Sequence, residues 1–383
     1  MQLYRTRGVR NGRIEVADVL RGLAVAGIIM IHSAEQFNMY DPSYGDPLTL
    51  PCDKWVYNLM FFLFSGKMYG IFALLFGLSF FIQNDNRQQR GKDFSGRFLW
   101  RMVLLFVLGA LNTAFYDGDI LMSYAVYSLV LIPLSYLPSV WSWLVFGLLI
   151  IQPIEIYGLL SGWRPDLSGM GEAYAAMGTA HHGDSFLANA AANLQYGQKA
   201  TWLWILMKGR HTQTIAMFIL GMLLGRYRMF YDEGCHMKIW KWVFALSLVL
   251  SVAGNLAHVD KLQPAGRMLS PMLCFCMTMS IISGVTLLWY GAGWFRKLMS
   301  SFGTFGRMSL TNYFLQSIIG SFLFAEFGLG LCGKFGTTLS VLTGLAMVVI
   351  QFLFCRLWFR RHDHGPMEQI WKKLTWIGSD RKV

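Results

Sequence analysis

Apolar runs near twenty residues long recur ten times along this 383-residue chain. They lie roughly at 17–36, 56–82, 98–115, 120–136, 140–160, 202–224, 240–257, 269–290, 308–327 and 338–358. A helix needs about 20 apolar residues to cross a bilayer's hydrocarbon core. Backbone groups in hydrocarbon must be satisfied internally, which leaves helices or closed barrels. Runs of this length select helices. The expected fold is all-α, a polytopic integral membrane protein with about ten transmembrane helices. Composition agrees: 55% of residues are hydrophobic and only 14% charged, against about a quarter charged in soluble domains. The first run is too long for a cleavable signal peptide and lacks a small-residue cleavage site.

The basic residues set an orientation. Arg5, Arg7, Arg10 and Arg13 precede the first run; Arg87, Arg90, Lys92, Arg97 and Arg101 follow the second. Arg226, Arg228, Lys238 and Lys241 follow the sixth, and Arg296, Lys297 and Arg307 the eighth. Arg356, Arg360, Arg361, Lys372, Lys373, Arg381 and Lys382 close the chain. These alternate loops hold 23 of the 33 basic residues, while the opposite loops carry Asp41, Asp46, Asp53, Asp117 and Asp119. The positive-inside rule then puts both termini in the cytoplasm. The net charge of +12 answers to topology and anionic lipid. No basic–aromatic array argues for nucleic acid.

The organisation expected is one transmembrane domain over 1–383. Residues 1–16 form a cytoplasmic tail and 161–201 an external loop with short helical stretches, long enough either to fold over a site or to be disordered. Residues 359–383 form a second cytoplasmic tail. There Pro366 and Glu368 mark a helix start, and Trp371, Trp376, Lys372 and Lys373 suit an interfacial helix. Six scattered cysteines make no Cys-x-x-Cys motif, so no metal or redox site is assigned. Cys52 and Cys332 both fall in expected external loops, where a disulfide is compatible with an oxidising periplasm.

The first run carries the chemistry. Arg21 and His32 are eleven residues apart. At about 100° per residue they lie on nearly one helix face, about 16 Å apart along the axis. Asp18 and Glu35 fall within about 60° of that line. Ionisable groups at membrane depth are functional-site hypotheses by default. Each also has a structural reading: His32 as a packing residue, Asp18 with Arg21 as a buried ion pair, Glu35 as a snorkelling acid.

The segment Arg13-Ile-Glu-Val-Ala-Asp18-Val-Leu-Arg21-Gly-Leu-Ala resembles the opening of the transmembrane acyltransferase superfamily, which includes heparan glucosaminide acetyltransferases and bacterial O-acetyltransferases. The rest is more similar to the YeiB-type family of bacterial membrane proteins. The matching stretches are Gly66-Lys67-Met68-Tyr69 through Gly77, Gly118-Asp119-Ile120-Leu121, Gly306 through Ser317, Gly328-Leu-Gly330 and Gly365-Pro366-Met-Glu368. YeiB-type members usually have Asn where this chain has His32, and often His where it reads Asn112. The resemblance implies acyl transfer from acetyl-CoA or another acyl-CoA, without metal. His32 would be general base or nucleophile, oriented by Glu35. Arg21, with Asp18 and Lys67, would bind donor phosphates. A glycan, membrane lipid or small molecule would be the acceptor, and a homodimer is compatible.

Further polar residues divide between roles. Lys67 is a site residue or the counter-ion of a structural acid. Asp119, with Asp117, caps the next helix, worth about 1 kcal/mol, or binds acceptor. Ser309, Asn312 and Gln316 form one stripe, which either glues helices or lines the site. Asn112 and Tyr124 rank lower. His211, beside Lys208 and Arg210, anchors the chain or binds acceptor. His32, Lys67, Asn312 and Gln316 are expected to line one cavity. A transporter or flippase using the same buried charges is the competing function class; inverted repeats and Gly/Pro-broken helices in corresponding halves would favour it, and the sequence shows neither.

Overall fold

Where the apolar runs lie, helices form, and no strand occurs among the described residues. The structure, a computed structural model, describes residues 12–38, 50–163, 165–231, 236–262 and 265–378. Arg5, Arg7, Arg10, Asp41, Asp46, Arg381 and Lys382 lie outside them. The helices are α1 (Glu15–Ala34), α2 (Asp53–Phe64), α3 (Lys67–Gln88), α4 (Ser95–Thr113), α5 (Leu121–Tyr127), α6 (Leu131–Tyr136), α7 (Ser139–Ile150), α8 (Pro153–Ser161) and α9 (Met170–His181). There follow α10 (Phe186–Ala192), α11 (Gln198–Met207), α12 (Arg210–Arg226), α13 (His236–Leu256), α14 (Gly266–Gly291), α15 (Gly293–Arg307), α16 (Ser309–Phe324), α17 (Thr337–Trp358) and α18 (Pro366–Thr375).

Six helical stretches among the described residues are long and apolar enough to cross a membrane: α1, α2 with α3, α4, α13, α14 and α17. A seventh arises if α7 and α8, bent by 41° to one another, count as one. The remaining expected spans are shorter. Helix α12 has 17 residues and α16 has 16, about 25 Å at 1.5 Å per residue, less than the hydrocarbon thickness. The 121–136 segment is divided by a 3₁₀ turn at Ser128–Val130. Leu246, Val249, Leu250 and Val252 stand exposed on α13. Such an exposed apolar stripe suits a lipid-facing helix.

Helix α1 packs against α3, α15, α16 and α17. Small residues allow backbones to meet where lipid gives no hydrophobic drive for association. A Cβ at Gly22 would run into the Phe302 carbonyl, and one at Gly306 into the Asp18 carbonyl. Helix α15 occupies the stretch between the eighth and ninth apolar runs, where a loop is expected.

The residues 161–201 hold α9, α10 and the start of α11. Cys52 and Cys332 do not form a disulfide with one another. Cys52 Sγ lies 3.4 Å from Thr338 Oγ1, whereas Cys332 Sγ receives Asn38 Nδ2 at 3.7 Å.

Candidate functional site

Two polar regions meet at the hairpin 114–120, which joins α4 to α5. On one side lies a cavity of about 350 Å³. Its lining includes four cations, Arg21, Arg101, Arg307 and Lys372. Its apolar walls include Phe72, Phe76, Phe80, Leu75 and Met102, and Leu121, Tyr124 and Tyr313 also face it. Arg21 is held by its own helix: Nη1 donates to Asp18 Oδ1 at 2.8 Å, an i,i+3 pair, and Nη2 to Ser79 Oγ at 3.2 Å. Asp18 also takes Arg13 at 2.8 Å. Trp371 and Lys372 bring α18 to the cavity, with the Arg101 guanidinium 5.0 Å from the Trp371 ring centre.

Glu368 is the carboxylate in that lining. Its oxygens accept from the Leu310 and Thr311 amides at 2.8 and 3.1 Å and from the Thr311 hydroxyl at 2.5 Å. It thus caps the N-terminus of α16 as well as opening its own helix. Tertiary contacts clasp the far end of α18. Arg97 donates to the Thr375 and Ile377 carbonyls and Trp100 to that of Leu374.

The hairpin adjoins the cavity through Leu121 and Tyr313, which line it. Asp119 accepts Asn112 Nδ2 at 2.7 Å and the Leu121 amide at 2.9 Å, and the Tyr313 hydroxyl lies beside it. Burial pushes the Asp119 carboxyl up to about 7, against the opposing effect of these bonds. Asn112 and Asp119 are both fully buried.

In the hairpin, Tyr116 lies against His32, ring centres 4.5 Å apart. His32 is half-buried, and its Nδ1 has no hydrogen-bond partner. Glu35 does not orient it. Glu35 is buried near Asp117, close enough for their charges to repel. His181 from α9 completes this group. Its Nε2 lies 4.0 Å from Asp117 and 3.1 Å from Asn193 Oδ1, and its Nδ1 2.7 Å from Asn38 Oδ1. The long loop closes over the hairpin. Thr201 donates to the Asp117 carbonyl at 3.0 Å, and Gln198 to Thr113 Oγ1 at 2.7 Å.

The structure therefore groups Arg21 with Asp18 at the cavity, His32 with Tyr116 and Glu35 with Asp117 at the hairpin, and Asn112 with Asp119 beside Tyr313. The expected convergence of His32, Lys67, Asn312 and Gln316 on one cavity does not form. Lys67 opens α3, donates to the Phe61 carbonyl at 3.2 Å, and sits near Arg210 and Cys274, because the second run breaks at Gly66. It stands apart from the Arg21 cavity. Asn312 ties α16 to α15 and α17, through the Phe305 carbonyl at 3.1 Å and Cys355 Sγ at 3.3 Å. Gln316 is fully buried with both amide atoms unbonded. His211 faces a separate cavity with Glu155.

Sequence reasoning missed Tyr313, Tyr116, His181 and the cavity role of Arg101. Tyr313 adjoins the Asn312 stripe, and its facing Asp119 depends on how α16 packs. His181 carried only an adjacent-histidine signal.

Residues 224–378 match a family described as a protein of unknown function (DUF418). The chain is 26% identical to uncharacterized protein YxaH of Bacillus subtilis (strain 168), over 96% of this chain and 95% of that one. It is 27% identical to uncharacterized protein YeiB of Escherichia coli (strain K12), over 94% and 95%. It is 23% identical to an uncharacterized 39.9 kDa protein of Bacillus acidopullulyticus encoded in an amylase 3′ region, over 95% and 94%. No solved structure matches.

Proposed function

We propose that this chain, similar to YeiB of Escherichia coli over nearly its whole length, is a polytopic membrane acyltransferase of the bacterial inner membrane. It moves an acyl group from acyl-CoA on the cytoplasmic side to a hydroxyl acceptor, a glycan, lipid or small molecule, toward the outer face. Its termini are cytoplasmic, as the basic loops require, and about ten segments cross the bilayer, the shorter α12 and α16 within the bundle.

One observation carries this reading: an apolar cavity with Arg21, Arg101, Arg307 and Lys372 in its lining and Tyr124 and Tyr313 beside the Asp119 hairpin. Cations suit phosphates, and aromatic walls suit an acyl-pantetheine arm. In the reaction the acceptor oxygen attacks the thioester carbonyl and the carbon–sulfur bond breaks. The acceptor's proton passes to His32 as general base, which returns it to the departing thiolate, so that CoA leaves as the thiol. His32, with an unbonded Nδ1 against Tyr116, stands on the acceptor side.

The test is acetyl-CoA binding to the purified full-length protein by calorimetry. Binding is expected in wild type and His32→Ala. Arg21→Ala, which loses a charge-assisted pair, should weaken it about 10–100-fold. His32→Ala should instead abolish transfer, acting in the transition state. Absence of binding in wild type refutes the reading.

A transport reading gains from the interruptions at Gly66, Gln152 and Gly209, because discontinuous helices mark transporter sites. Substrate-driven flux in proteoliposomes without acyl-CoA would favour it.

A further inference from the structure

Three helices are interrupted at neighbouring points. Gly66 before α3, Gln152 before α8 and Gly209 before α12 all have left-handed φ, at 78°, 61° and 62°. Gly66 lies against Arg210, and Gly209 against Glu155 and Gln152. Irregular backbone at membrane depth is tolerated where protein buries it or where it lines a cavity, and here one adjoins. It measures about 220 Å³, and its lining includes Glu155, Trp163, Leu206, Met207, His211 and Arg267.

His211 is only 8% exposed; the Ile205 carbonyl lies near its ring, yet neither ring nitrogen makes a hydrogen bond of good geometry. Its Nε2 lies 4.0 Å from Glu155 Oε1, too far for a hydrogen bond. Buried polar groups are normally bonded, and an exception calls for an explanation such as a missing partner. The lining supplies one carboxylate, one permanent cation in Arg267 and an imidazole able to donate or accept. The remaining walls are apolar, and Leu159, Trp163 and Leu206 continue them to an exposed surface.

A ligand matching this set carries an ammonium for Glu155, an oxyanion for Arg267 and His211, and an apolar body or neighbour. We propose that this cavity is a second ligand site, for a phosphoethanolamine-type zwitterion. The ammonium must carry an N–H, because a quaternary one donates no hydrogen bond to Glu155. The site is separate from the Arg21 cavity and does not depend on the acyl-transfer reading.

The experiment is native mass spectrometry of the purified full-length protein in detergent, titrated separately with phosphatidylethanolamine, phosphatidylcholine and phosphatidylglycerol. Phosphatidylethanolamine is expected to bind about tenfold or more tightly than the other two. Glu155→Gln, which keeps side-chain volume, and Arg267→Gln, at an exposed position, should each remove that preference while thermal unfolding stays within about 1 °C of wild type. His211→Ala should lower the affinity for phosphatidylethanolamine. Equal binding of the three lipids, or an unchanged preference in the folded Glu155→Gln and Arg267→Gln proteins, overturns the proposal. Competition by soluble phosphoethanolamine distinguishes the source, and either result supports the zwitterion chemistry. Displacement of the lipid assigns the site to the free zwitterion, and failure to displace it assigns the site to the lipid headgroup.

Discussion

Replacing Glu368 by alanine removes the acceptor for two backbone amides and one hydroxyl at the start of α16. The site is only partly buried, so each orphaned amide is taken at the low end of the desolvation range, about 1 kcal/mol. Losing a carboxylate at a helix N-terminus adds about 0.5 kcal/mol. The total is about 2.5 kcal/mol. Glu368→Gln keeps an acceptor oxygen and loses the charge, for about 1 kcal/mol. With an unfolding entropy of about 2.1 cal/mol/K per residue, these become midpoint drops of about 3 °C and about 1 °C. The assay is thermal unfolding in detergent followed by tryptophan fluorescence. Trp371 and Trp376 lie on or beside α18, and the clasp by Arg97 and Trp100 remains in both variants. An alanine variant as stable as wild type, or a glutamine variant worse than the alanine one, would refute the cap as the reason α18 docks.

Gly306→Val forces a side chain into the Asp18 carbonyl and should destabilise by about 3 kcal/mol or more; a monodisperse variant with a wild-type unfolding midpoint would contradict the backbone contact between α1 and α15. The Asp119 carboxyl, raised to about 7 by burial, binds its proton more tightly folded than unfolded. Its stabilising contribution is complete below about pH 4, the unfolded value, and is lost as pH rises toward 7. Asp119→Asn should therefore show a flatter stability profile between about pH 4 and 7 in unfolding midpoints, and an unchanged profile would count against it. Single cysteines at positions 90 and 297 should react with a membrane-impermeant maleimide only in inside-out vesicles; labelling in intact spheroplasts would reverse the orientation.

Much of this architecture follows from local chemistry. Hydrocarbon thickness sets the length of an apolar run, so the helices were legible wherever a run was long and unbroken, as in α1, α13, α14 and α17. Helical periodicity likewise joins Asp18 to Arg21 within one helix, three residues apart. Breaks were less legible. Gly66 and Gly209 sit inside apolar runs, and only their left-handed conformation in the folded chain ends one helix and begins another. That redirection takes Lys67 away from Arg21. The polar stripe on α16 was visible too, but a stripe does not name its partner: Asn312 meets Cys355, 43 residues away, while Tyr313 next to it faces Asp119.

Hydropathy and helical period are enough to specify an all-helical chain, the alternation of its charged loops and the stripe that carries Arg21 and His32. Packing between distant segments placed Tyr116 of the hairpin against His32, brought His181 of α9 to Asp117, and set Glu368 as the cap of a helix 58 residues away. The physical reason is range. Hydropathy and helical period act over one segment, whereas a cavity wall is made where segments distant in the chain pack together, and its chemistry depends on which faces meet.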